Sequence, residues 1–513
     1  TAARRRQHFP HRFAVAANSR EALSRRLHEA SAVSPGPVGQ APRIGFVFAG
    51  QGCQWAGMGR ALLAQSAEFS ASVEAVDAEF RRIADWSIVD LIRDEKGAAR
   101  LDETRYFQPV LFAIQVGLAA LWKHAGVVPS LVCGHSVGEI AAAHVAGATS
   151  ISDALSIVEL RGRLMQESAG SGAMAAVGMP LDELQVLLQQ YRNLAIAADN
   201  GPENCTITGD AKEIDQLLLD LQRRGVFCRR LNVDSAYHSA LMDGHAQSLF
   251  TALEGLTSSA CDIPFVSTVT GEQVADSHAF NAAYWRDNMR KPVRFREAIK
   301  SALDEGCDVL VEIGPQPVLA TYIAEIADAA KTRVVALASM RKADSEGLCW
   351  SDSLSKLYSL GCNIDWQALY PHGAPVSLPP FQFRKERLWF ETPAARPLRH
   401  DASQYVHPLL GIRKSLGSTR TMFESLVGTD QHSYLFDHRI AGYCIFPAAA
   451  MIEMMLAAAE QVGCVDAEWA ELSDFSISAP VVLTEEQPVE MQLLVEQNGE
   501  SLQLTLYSQA AGA

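Results

Sequence analysis

A serine set between two glycines, directly after an apolar run, leaves this chain few local folds: Leu131, Val132 and Cys133 lead into Gly134-His135-Ser136-Val137-Gly138-Glu139. A strand that runs straight into a helix must turn through strained backbone angles at the serine. Glycines two residues to either side remove the side chains that would clash there. The serine oxygen then stands clear of the sheet at a helix N-terminus, where unpaired amides and the helix dipole favour developing negative charge. This is the pattern of a nucleophile elbow, suited to an acyl-transfer intermediate.

The elbow sits in a longer alternation. Ile44-Gly45-Phe46-Val47-Phe48 is a buried-strand run ending at Gly50-Gln51-Gly52, and helical patterns cover Tyr106 to His124 and Ile151 to Glu167. Strands alternating with helices predict an α/β-hydrolase-like core with a parallel sheet. Between residues 172 and 235 the order changes: strand Met174–Val177, helix Leu181–Gln190, strands Leu194–Ala198 and Cys205–Thr208, helix Ala211–Arg224, and strand Val226–Val233. A β-α-β-β-α-β unit forms its own ferredoxin-like sheet, which would roof a cleft over Ser136. The core resumes at Val309–Ile313 and Gly314-Pro315.

Ahead of the core, Phe13–Ala17 reads as a short strand and Ser19–Glu29 as a helix, with Ser34-Pro35-Gly36-Pro37 as a linker. Residues 341–398 hold one helical pattern, Leu354–Leu360, and a proline-rich stretch from Leu378. Phe381, Phe383, Trp389 and Phe390 predict a segment lying extended across a neighbouring domain. Residues 399–513 are β-rich. Val489, Met491, Leu493 and Val495 alternate, Asn498-Gly499 supplies a hairpin turn, and Leu502, Leu504 and Leu506 alternate again. Thr1 in place of an initiator methionine leads us to expect a piece of a longer polypeptide.

With 513 residues, 48% of them hydrophobic, the chain should hold more than one domain. A formal charge of −15 argues against general nucleic-acid binding, which needs a concentrated positive surface. The ten cysteines are scattered without metal-ligand spacing, and no apolar run is long enough for a membrane span. A cytoplasmic setting without membrane or nucleic-acid partners is expected.

A serine nucleophile requires a base. Of fourteen histidines, His238 in Asp234-Ser235-Ala236-Tyr237-His238-Ser239 is the candidate, because the small insert returns to the core there. The oxyanion would be held by backbone amides fixed before reaction: Val137 at the helix start, and Gln51, whose flanking glycines allow close approach.

These residues resemble a known family. Gly50-Gln51-Gly52, Gln108-Pro109, Gly134 to Glu139, Arg161-Gly162-Arg163, Asn200, Tyr237-His238-Ser239 and Glu312-Ile313-Gly314-Pro315 occur in the order found in malonyl-CoA:acyl carrier protein transacylases. They are most similar to the acyltransferase domain of modular polyketide synthases, here about residues 42–340. The resemblance implies a Ser136/His238 dyad without a triad acid, the imidazole oriented by carbonyls near Gly314-Pro315 with Asn200 nearby. It makes Arg161 the grip on a malonyl-type carboxylate and places Gln108, Asn200 and Tyr237 at the substrate. Residues 1–41 resemble the end of the linker from a ketosynthase, and Leu378 to Trp389 the linker that follows the acyltransferase.

Val137 is apolar where methylmalonyl-selective relatives carry glutamine, and bulky Tyr237 stands where a serine would leave room for an α-methyl group. Malonyl is therefore expected over methylmalonyl. Ser235-Ala236-Tyr237-His238 matches neither of the family's usual tetrads, so the preference is expected to be partial. Malonyl-CoA and an acyl carrier protein bearing phosphopantetheine are the implied partners, with no cofactor or metal in the chain itself. His438, in His438-Arg439-Ile440-Ala441-Gly442-Tyr443-Cys444-Ile445-Phe446-Pro447, resembles the base in the first hot-dog half of a polyketide synthase dehydratase. The later half with its acidic partner is not in this sequence. Two rival readings are a serine hydrolase or thioesterase, and a non-catalytic docking module.

Overall fold

The computed structural model describes residues 1–31, 38–94, 97–276, 278–342, 348–379, 405–463, 471–499 and 501–510. Two compact units divide the chain, Thr1–Pro380 and Phe381–Ala513, and the division falls inside the expected 341–398 linker.

In the first unit, β1 (Ile44–Phe48) is buried at every residue, as a parallel strand covered on both faces must be. It pairs on one side with β2 (Leu131–Gly134) and on the other with β8 (Val309–Ile313). β7 (Phe265–Val266) and β9 (Val335–Ala338) complete an all-parallel sheet of order β7-β2-β1-β8-β9. Register decides what this sheet can do. Phe48 is level with both Gly134 and Ile313, so the Gly50–Gly52 loop, the elbow and Gly314-Pro315 leave the carboxyl edge side by side, where α/β sheets place their sites.

The insert folds as its pattern predicts. β3 (Ala173–Val177), β4 (Leu194–Gly201), β5 (Asn204–Gly209) and β6 (Cys228–Arg230) form an antiparallel sheet of order β4-β5-β3-β6. Helices Leu181–Leu188 and Ala211–Arg223 bury Leu184, Leu187, Ile214, Leu217 and Leu221 beside it. The last strand is shorter than the expected Val226–Val233. It pairs Cys228 to Arg230 with Val177 to Ala175 of β3, and after the Leu231 amide donates to the Met174 carbonyl the chain leaves for the core.

Helices Thr104–His124 and Ile151–Glu167 form as predicted. The expected strand Phe13–Ala17 does not: the segment is irregular, and among the described residues it pairs with no strand. Helix Arg20–Ser31 follows it. Leu354–Leu360 lies mostly within a longer helix, Leu348–Ser359. The Ser34–Pro37 linker and the aromatic stretch Phe381–Phe390 lie outside the described residues. Among the described residues no helix is long and apolar enough to cross a membrane.

The second unit has an antiparallel sheet whose strands lie in the order Tyr405–His407, Gly411–Ser415, Arg420–Val427, Val489–Asn498 and Ser501–Ala510. Helix Ala448–Gln461 shares an apolar cluster with it, Met451, Met454 and Ala458 with Phe423, Met491 and Leu493, the sheet-and-helix arrangement of a hot-dog fragment. The predicted hairpin pairs Asn498 with Ser501 across a left-handed Gly499.

Candidate active site

Strain marks the site. Ser136 and His238 both take left-handed backbone angles, φ 54° and 58°, which side chains other than glycine rarely adopt. At the elbow the helix Gly138–Val145 starts so close to β2 that a Cβ on Gly134 would sit 2.3 Å from the Glu139 nitrogen, and one on Gly138 would sit 2.4 Å from the Phe48 carbonyl oxygen. The Gly138 contact is with rigid backbone. Gly138→Ala is therefore expected to cost roughly 1–3 kcal/mol, read as a lowered midpoint in thermal unfolding, and to slow acylation of the serine.

Fully buried Glu139 ties the turn down. Its carboxylate accepts from the Thr268 amide, from Asn288 Nδ2 at 2.7 Å and from the Tyr284 hydroxyl at 3.0 Å. Asn288 Nδ2 also donates to the Ser136 carbonyl, and Thr268 Oγ1 to that of Gly134. Burial pushes Glu139 up to about 7 against the pull of these donors. The sequence reading did not single out this network. Its one signal was a charge in the apolar run Val137 to Ala143.

Ser136 Oγ lies 2.9 Å from His238 Nε2, and His238 Nδ1 lies 2.8 Å from the Lys291 carbonyl oxygen. A carbonyl only accepts, so Nδ1 carries the proton and Nε2 presents its lone pair to the serine hydroxyl. Burial, and then the Arg161 charge, lower His238 to about 3, with the Lys291 carbonyl pulling the other way. The imidazole is a neutral, correctly oriented acceptor. The orienting carbonyl corrects the expectation of one near Gly314-Pro315: the Pro315 oxygen instead accepts from Trp55 Nε1. Asn200 is also not on His238. Its Oδ1 holds His135 Nε2 at 2.8 Å and its Nδ2 donates to Thr206, so the side chain joins β4 to the elbow. No sequence pattern announces a backbone acceptor.

Arg161 is 1% exposed, and its Nη2 donates to Ser136 Oγ at 3.0 Å. Gly162 beside it permits this placement, since a Cβ there would already sit 3.1 Å from the Thr104 carbonyl oxygen. Burial lowers the guanidinium to about 10, which leaves it a cation at neutral pH. Among the described residues it has no carboxylate within ion-pair distance and its Nε has no partner. Tyr237 is buried, its hydroxyl 3.0 Å from Thr104 Oγ1, which also receives Gln51 Nε2. Gln108 is buried against Met165 Sδ, its Oε1 without a partner. Among the described residues the amides of Gln51 and Val137 donate to no acceptor.

Residues 45–356 match the acyl transferase domain family. This chain belongs to that family. Beyond the acyltransferase region, residues 407–509 match the polyketide synthase dehydratase domain. The chain is 35% identical over 500 residues to polyketide synthase GfsB of Streptomyces halstedii, covering 95% of this chain and 9% of that protein. It is 34% identical over 472 residues to erythronolide synthase EryA2 of Saccharopolyspora erythraea, covering 90% and 13%. It thus spans about a tenth of the length of such relatives. Among solved structures, the acyltransferase domain from module 8 of the salinomycin polyketide synthase matches with a TM-score of 0.67 and 36% identity, over 71% of this chain and 88% of that one. MCAT from Streptococcus pneumoniae matches with a TM-score of 0.53 and 27% identity, over 60% and 99%.

In the second unit, His438 Nδ1 lies 2.8 Å from the Ile445 carbonyl oxygen, the same device that fixes His238.

Proposed function

We propose that this acyltransferase loads a malonyl-type unit from CoA onto the phosphopantetheine thiol of an acyl carrier protein through an ester on Ser136. The carrying observation is Arg161: a buried cation 3.0 Å from the nucleophile, with no carboxylate in ion-pair distance among the described residues. A buried unpaired charge is costly unless something pairs with it, and a substrate carboxylate supplies a planar, bidentate partner. A neutral-ester hydrolase has no use for such a group.

In the proposed reaction His238 Nε2 takes the hydroxyl proton as Ser136 Oγ attacks the thioester carbon, and the Gln51 and Val137 amides hold the oxyanion. The C–S bond breaks, and the proton leaves with the CoA sulfur. The carrier's thiol then attacks the acyl-serine, giving its proton to His238 and, through it, back to Ser136. His238 has a backbone carbonyl behind it where many hydrolases have a carboxylate, so the pair works as a dyad. Tyr237, anchored by Thr104, and apolar Val137 support malonyl over methylmalonyl, and a misplaced methyl typically changes selectivity by about 10- to 200-fold. His438, its Nε2 left open by the Ile445 carbonyl, is read as the base of a dehydratase whose other half belongs to a longer polypeptide that also carries a ketosynthase.

Intact-mass measurement after incubation with an equimolar mixture of malonyl-, methylmalonyl- and acetyl-CoA tests this. A malonyl adduct that carrier protein discharges is expected. Discharge to water at the same rate with or without the carrier would establish the hydrolase reading instead.

A further inference from the structure

The small subdomain packs most of its apolar side chains into a core of its own, so what fixes it to the parallel sheet is mainly backbone and polar. Several of those ties meet on one segment, residues 291–296, in addition to the Asn200–His135 and Asn204–Glu325 contacts. The Val293 amide donates to the Ala197 carbonyl at 2.8 Å, and the Asp199 amide donates back to the Val293 carbonyl at 2.9 Å, so β4 and this segment form a short parallel bridge. Three residues further on, Arg296 Nε donates to Asp199 Oδ2 at 2.8 Å. Asp199 is 4% exposed and its Oδ1 has no partner among the described residues. Arg296 is therefore the group that makes a buried carboxylate tolerable. On its other side the segment is stitched to the elbow's support: the Arg294 amide donates to the carbonyl of Thr268, the residue that holds Glu139 and Gly134. Lys291, at the head of this doubly anchored segment, offers the carbonyl that fixes His238.

We propose that Asp199 and Arg296 are a positioning pair that latches β4 to residues 291–296 and thereby holds the Lys291 carbonyl under the His238 ring. Without the pair, β4 is held to the segment by the two backbone hydrogen bonds alone, beside a buried carboxylate left unpaired; the bridge loosens, the carbonyl drifts, and the imidazole loses the acceptor that selects its Nδ1–H form. Either ring nitrogen can then carry the proton, and only one of those forms accepts from Ser136. The inference rests on reading His238 as the base.

The test uses Arg296→Ala, with Arg296→Lys as the charge-preserving variant and His238→Ala as reference, in single-turnover acylation by malonyl-CoA followed by intact mass. Arg296→Ala is expected to lower the saturating acylation rate about tenfold or more, because a general base contributes about 100- to 10,000-fold, while the half-saturating malonyl-CoA concentration stays near its original value. Long-range proton–nitrogen correlations of the histidine rings should show His238 as the Nδ1–H form in the parent chain and as a mixture in Arg296→Ala. Arg296→Lys should recover most of both. An Arg296→Ala protein with the parent's rate and an unmixed His238 ring overturns the latch. Should that variant fail to fold, Asp199→Asn, which keeps the volume and removes the charge, is held to the same two readings. Undiminished acylation in His238→Ala would instead overturn the assignment of the base, an outcome distinct from failure of the latch.

Discussion

Replacing Ser136 by alanine is expected to abolish the acyl-enzyme altogether, so that intact mass shows no adduct with any acyl-CoA offered. The reason is geometric. Ser136 Oγ donates to His238 Nε2 and accepts from Arg161 Nη2, so the proposed nucleophile stands between its proposed base and a cation, and an alanine methyl can form no ester. His238→Ala keeps the nucleophile and removes its base, and should lower the acylation rate by about 100- to 10,000-fold. The pH dependence follows from the same geometry. Burial and Arg161 lower His238 to about 3, so the neutral form dominates down to strongly acidic pH. The acylation rate should therefore show no fall centred near the ordinary histidine value of about 6.5. The sign for stability is the reverse of a paired histidine's. Between about 3 and 6.5 the unfolded chain binds a proton at this residue that the folded chain refuses, so its contribution to stability is lost as the pH drops through that window. An adduct on Ser136→Ala would remove the nucleophile assignment.

The second large effect belongs to Arg161. With alanine at this position the pocket keeps its serine and base but loses the guanidinium that touches the serine oxygen. A malonyl carboxylate would then be buried without a partner, whereas an acetyl group would lose nothing. A charge-assisted hydrogen bond of about 1.5–3 kcal/mol corresponds to a fall of about 10- to 150-fold in the preference for malonyl-CoA over acetyl-CoA. Competition between the two thioesters, scored by adduct mass, measures that ratio directly. Arg161→Lys should recover only part of it, since an ammonium lacks the planar fork. An Arg161→Ala protein as selective as the parent would mean that another group reads the carboxylate.

Local rules carried much of this protein in its sequence. The apolar run before Gly134-His135-Ser136-Val137-Gly138, the alternation of strand and helix patterns, and the β-α-β-β-α-β order of the insert each depend on residues near one another in the chain, and each forms as read. Ser136 was legible for the same reason, since it follows the end of β2, and His238 because the insert returns to the core there. The acceptor behind His238 was not. A main-chain carbonyl is the same group at every residue, so only the path of residues 291–296 between β4 and the elbow could make Lys291 that acceptor. Long-range pairing likewise decided that Asn200 serves His135, that Phe13–Ala17 stays irregular, and that Glu139 is the buried tie of the elbow. The sequence by itself determined which candidate groups this chain offers for the proposed reaction and which elements carry them. The tertiary structure decided which backbone atoms aim those groups, because aim depends on distances between segments far apart in the chain, and no local propensity encodes them.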